Sequence, residues 1–97
     1  MRSLEQIRSK LEFLKPVLRE RYNVETIEIF GSYARCEQSK NSDLDLLVTY
    51  SEPLDFIEIY HLRKFLQEEL KIKVDVISKL FLNPFIKERV LNEAVSV

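Results

Sequence analysis

Three aspartates and a lone glycine are the residues of this chain best placed to do chemistry. Asp43 and Asp45 stand at i and i+2 in Ser42-Asp43-Leu44-Asp45-Leu46, and Asp75 lies between two valines in Lys73-Val74-Asp75-Val76-Ile77. Residues two apart on a strand point to the same face, roughly 7 Å apart at Cα, so this pair can grip hard cations. A carboxylate set in an apolar strand such as 73–78 needs a partner, because burying an unpaired charge is costly. If the two segments lie side by side, the three carboxylates converge on one metal cluster. Mg²⁺ favours octahedral oxygen ligands and shares its shell among a few carboxylates, water and substrate phosphates. Gly31, the single glycine of the chain, ends an apolar stretch and opens Gly31-Ser32-Tyr33-Ala34-Arg35. Without a Cβ, its backbone can approach a ligand and adopt dihedrals closed to other residues. A phosphate turn beside a metal site implies metal-assisted attack on a nucleoside triphosphate.

The same residues have ordinary readings. Gly31 alone is a turn glycine, and Asp43 and Asp45 alone are a solvated strand end. Asp75 on another strand is what argues against coincidence. Ser32 can cap a short helical turn and, at that helix N-terminus, offer its N–H and hydroxyl to the β- and γ-phosphates. Arg35 either holds a phosphate or pairs with an acidic side chain of the fold. Cys36 next to the turn lacks a base: the only histidine, His61, belongs to a distant helix, so no nucleophile–base pair is indicated.

These residues must be positioned by alternating helices and strands. Ser3 and Gln6 have capping-box spacing, and Leu4, Ile7, Leu11, Leu14 and Leu18 recur at helical period. Pro16 falls inside that pattern, which predicts a kink or a fresh helical turn there. Residues 24–30 read as a first strand, 43–50 as a second with Leu44, Leu46 and Val48 on one face, and 73–78 as a third. Phe56, Ile59, Leu62, Leu66 and Leu70 form a helical stripe between the second and third strands. His61, Ile57 and Tyr60 fall on the opposite face, a candidate partner surface. Asn83-Pro84 predicts an N-cap followed by proline at the first helical position, opening a last helix with Phe85, Ile86, Val90 and Leu91. Residues 94–97 can add a short edge strand. The expected fold is α+β (α/β), a small mixed sheet with helices packed on it.

Composition narrows the function classes. Ninety-seven residues predict a single domain over 1–97, and 45% hydrophobic with 32% charged residues is ordinary for a globular protein. The formal net charge of −1 and the lack of a long basic run argue against direct nucleic-acid binding. One cysteine excludes an internal disulfide framework and fits a reducing compartment. No signal peptide or membrane span is evident, so a cytoplasmic location is expected.

The run Phe30-Gly31-Ser32-Tyr33-Ala34-Arg35, then Ser42-Asp43-Leu44-Asp45-Leu46-Leu47-Val48, then Val74-Asp75-Val76-Ile77 resembles the minimal nucleotidyltransferases of the DNA polymerase beta superfamily. The resemblance spans residues 24–97. It implies a polymerase-beta-like palm, ATP as donor, two Mg²⁺ ions, and transfer of a nucleoside monophosphate with loss of pyrophosphate. Asp43 and Asp45 would bind both ions, Asp75 would complete the site of the ion that activates the acceptor hydroxyl, and Gly31, Ser32 and Arg35 would hold ATP. Chains this short resemble the MNT (MntA-type) antitoxins of prokaryotic HEPN/MNT pairs, which modify a tyrosine of the partner toxin with AMP. A HEPN-type toxin, held in a hetero-oligomer, is therefore the expected partner. Two other readings stand beside this one: a binding module that neutralises its partner by occlusion, and a transferase acting on a small hydroxylated molecule. One departure from the family pattern is Cys36, where many relatives carry a second glycine.

Overall fold

In the computed structural model, which describes residues 3–97, the chain runs α1 (Leu4–Tyr22), β1 (Val24–Phe30), β2 (Leu44–Tyr50), α2 (Phe56–Leu70), β3 (Val74–Ser78), a 3₁₀ turn (Lys79–Phe81), α3 (Pro84–Glu93) and β4 (Val95–Ser96). Ser3 and Gln6 form the expected capping box, each side chain accepting from the other's backbone N–H. Asp55 and Glu58 do the same at the start of α2. Both devices satisfy N–H groups that the first helical turn leaves without an intrahelical partner.

Of the two outcomes expected at Pro16, a fresh helix does not start there: α1 is one helix from Leu4 to Tyr22 with Pro16 inside it. Proline removes one N–H and frees the carbonyl four residues back. Glu12 and Pro16 are both exposed, which leaves that carbonyl on the solvent side of the helix. The helix then ends at Asn23, which takes the left-handed conformation with φ 56°.

The four strands form a mixed sheet in the order β3-β2-β1-β4. β1 pairs antiparallel with both β2 and β4, whereas β2 and β3 are parallel. A parallel pair cannot be joined by a tight turn, and α2 supplies the crossover. Ile7, Leu11, Leu14 and Leu18 of α1 and Leu62, Leu66 and Leu70 of α2 bury their stripes in one core cluster with Ile27, Ile29, Leu44, Leu46, Val48 and Val74 of the sheet. Each of these aliphatic side chains contributes about 1.5–3 kcal/mol by leaving water. The N-terminal end of the α2 stripe does not join them: Phe56 is 91% exposed. The last helix forms as expected behind Asn83 and Pro84, but it fully buries no residue, and Phe85 is 96% exposed.

Strand registry decides what occupies the other face of the sheet. Phe30 of β1, Asp45 of β2 and Asp75 of β3 are consecutive register partners and so share one row, with Glu28, Leu47 and Ile77 in the next. Leu47 is buried here too, and Lys79 reaches Glu28 in a 2.6 Å ion pair. Asp45 of β2 and Asp75 of β3 are thus displayed on the face opposite α1 and α2.

Candidate active site

The turn after β1 forms because Gly31 takes φ +77°, a conformation that costs glycine nothing and other residues a good deal. Arg35 N–H donates to the Gly31 carbonyl at 3.2 Å, Cys36 N–H to Tyr33 at 3.2 Å and Glu37 N–H to Ser32 at 2.8 Å. These bonds span four, three and five residue steps, so the expected helical turn is a run of tight turns and not a helix. Tyr33 anchors the run by burying its ring in the core. Cys36 closes it in the left-handed region at φ 56°, a conformation that costs a residue with a Cβ and that glycine would adopt freely.

Asp43 is delivered by a second turn. Ser39 N–H donates to the Ser42 hydroxyl at 2.8 Å while Ser42 N–H donates to the Ser39 carbonyl at 3.1 Å. The next residue, Leu44, donates its N–H to the Lys73 carbonyl at 2.8 Å, locking the start of β2 against the start of β3. Asp43 therefore lies just before β2 and not within it, whereas Asp45 and Asp75 face each other across the parallel pair. Gly31 is packed against the same carboxylate: a Cβ built on it would lie 2.5 Å from Asp45 Oδ2.

Electrostatics mark Asp45 as the centre of the cluster. Its carboxyl is pushed above the usual aspartate range, first by burial and then by the charges of Asp75 and Asp43, against a smaller opposing pull from Arg35. Arg35 is the one cation among the described residues that opposes this shift, and its effect is the smallest of the four causes. Among the described residues, no three acidic, histidine or cysteine side chains are already gathered into a metal-binding cage. Mg²⁺ seldom uses an all-protein cage; it takes one or two carboxylates and completes its shell with water and substrate phosphates. Asp45 and Asp75, register partners across β2 and β3, with Asp43 two residues before Asp45, fit such a partial shell better than a closed cage.

Of the residues expected to meet phosphate, Gly31 and Ser32 line the turn, but Arg35 is already engaged. Its Nε donates to Glu37 at 3.1 Å and its Nη1 to Glu93 at 3.2 Å, so the acid-pairing alternative is the one observed. Glu93 gave no sign of itself in the sequence. It lies 58 positions beyond Arg35 at the end of another helix, and only the pairing of β4 with β1 brings it near.

The sequence pattern of the nucleotidyltransferase domain matches residues 8–97. The chain belongs to the nucleotidyltransferase domain family. Among the relatives of this nucleotidyltransferase, the protein adenylyltransferase MntA of Thermococcus cleftensis is 39% identical over 97 residues, covering 100% of this chain and 98% of that one. A solved minimal nucleotidyltransferase structure superposes with a TM-score of 0.83 at 32% identity, covering 99% of this chain and 97% of its own. A toxin–antitoxin crystal structure with AMP-PNP gives a TM-score of 0.74 at 26% identity over 90% of this chain and 70% of that one. The mixed α+β sheet is the minimal nucleotidyltransferase fold. Among the described residues, no helix of the nucleotidyltransferase is long and apolar enough to cross a membrane.

Proposed function

We propose that this nucleotidyltransferase transfers AMP from ATP to a hydroxyl, that of a tyrosine, on a HEPN-type toxin, and so acts as the toxin's antitoxin. The observation that carries the chemistry is the placement of Asp45, registered against Asp75, packed on the Gly31 turn and short of compensating positive charge. The acceptor class is supported by the adenylyltransferase name of a relative 39% identical over the whole chain and by the AMP-PNP in a similar toxin–antitoxin structure.

Asp43, Asp45 and Asp75 would hold Mg²⁺, which supplies charge stabilisation of both the attacking and the leaving oxygen in an in-line displacement. The backbone N–H groups of the Gly31-Ser32 turn and the Ser32 hydroxyl hold the triphosphate, while Asp43 and Asp45 orient its reacting end. The acceptor oxygen attacks the α-phosphorus, the bond to the β-phosphate breaks, and pyrophosphate leaves. Asp75 is exposed and, among the described residues, carries no ion pair, so its carboxylate is open to the proton released by the hydroxyl. Positioning and charge neutralisation supply most of the rate in such a transfer.

A protein acceptor also suits the surface of the chain. Phe56, Phe81 and Phe85 are 91%, 87% and 96% exposed, and apolar side chains of that size are what a protein partner covers. Ile57, Tyr60 and His61 are exposed together as well. Intact-mass spectrometry of a HEPN-type toxin mixed with this chain, ATP and Mg²⁺ tests the reading: the toxin gains the mass of one or more AMP residues, on tyrosine. A toxin neutralised without any mass change, and neutralised equally by Asp75→Asn, would replace transfer with occlusion.

A further inference from the structure

Arg35 stands between two sets of anions. Its N–H closes the phosphate turn onto Gly31, and its charge is near enough to Asp45 to act against the upward shift of that carboxyl. Its guanidinium nevertheless donates to Glu37 and Glu93. The side chains of these three residues are 42%, 66% and 32% exposed, and ion pairs in contact with water are weak and readily exchanged. A triphosphate carries more charge than either carboxylate and offers paired oxygens that match the guanidinium fork.

Glu93 has the stronger claim to a purpose. It ends α3 two residues before β4, and β4 pairs with Glu28 and Ile29 of the strand that leads into Gly31. Its position relative to the phosphate turn is therefore set by the sheet and not by a loose tail. It also has a second cation at hand, Arg89 Nε, 3.8 Å from its other oxygen. Once Arg35 leaves, the Glu93 charge is not stranded.

We propose that Glu93 is a positioning residue that holds Arg35 on the acidic side of the turn until ATP arrives and then yields the guanidinium to the triphosphate, with Arg89 keeping Glu93 paired. This rests on the reading of the Gly31 turn as the triphosphate site. Glu93 then sets the nucleotide affinity by competition, from a helix that does not touch the phosphates.

Calorimetric titration of ATP with Mg²⁺ into the wild-type chain, Glu93→Gln, Arg35→Ala and the double variant tests it. Because only an exposed pair is lost, Glu93→Gln should bind ATP roughly two- to fivefold more tightly than wild type. Arg35→Ala should bind more weakly, and adding Glu93→Gln to it should change nothing further. Thermal melts of all four verify that each is folded. Equal affinity of Glu93→Gln and wild type would overturn the proposal. The same tightening in the Arg35→Ala background would also overturn it, since Glu93 would then act by plain repulsion of the nucleotide. A wild-type chain that binds no ATP would remove the nucleotide-site reading itself, and this proposal with it.

Discussion

Gly31 and Asp45 are in mutual contact across the β1–β2 edge, with the position of a Cβ on Gly31 falling 2.5 Å from Asp45 Oδ2. The glycine is therefore required twice. It admits the backbone dihedral of φ +77°, and it leaves room for the carboxylate at the centre of the acidic cluster.

Gly31→Ala should accordingly lose about 1–2 kcal/mol of stability from the left-handed backbone alone, and ATP affinity should fall further than that strain explains because Asp45 is displaced. Chemical denaturation and calorimetry on the same preparation separate the two effects. Unchanged ATP affinity would reduce Gly31 to a turn residue.

The raised pKa of Asp45 has a defined sign. As pH climbs from the usual aspartate value of 3.8 toward its higher folded value, the native chain holds a proton that the unfolded chain has released. Stability falls as pH rises wherever the native state binds more protons, and it levels off above the folded pKa. Metal-free Asp45→Asn escapes that loss, so its Tm should exceed that of wild type at neutral pH and converge on it in acid. Melts in chelator across the acid range measure this, and a constant difference between the two curves would count against it.

Asp43→Asn and Asp75→Asn should each leave the melting curve of the metal-free chain close to that of wild type, since both side chains are exposed. Added Mg²⁺ and ATP should raise the Tm of wild type, as any ligand of the native state does. The rise should shrink in both variants, and AMP transfer should be abolished. Full transfer by either one would remove that residue from the site.

Cys36 is held at φ 56° and its side chain is exposed. Cys36→Gly relieves the left-handed strain but adds unfolded-state entropy, so the net gain should be no more than about 1 kcal/mol. A denaturant midpoint below that of wild type would show that the thiol packs more than its exposure suggests.

Local signals in the sequence determined the three α-helices, the caps of the first and last, and the strands within a residue or so, because Ser3-Gln6, Asn83-Pro84 and the leucine spacings act over a few positions, whereas the Asp55-Glu58 cap was not read. They also singled out Gly31, Asp43, Asp45 and Asp75. Pro16 left a kink and a fresh helix open in the sequence, since its cost depends on whether water reaches the freed carbonyl, and the exposure of Glu12 and Pro16 is settled by how α1 lies on the sheet. Which neighbours each site residue acquires was likewise decided only by the tertiary structure. Asp45 meets Asp75 because β2 and β3 run parallel in that register, and Arg35 meets Glu93 because β4 returns to the edge of β1. Both pairings join distant parts of the chain through strand hydrogen bonds, and no local spacing records which strands will pair.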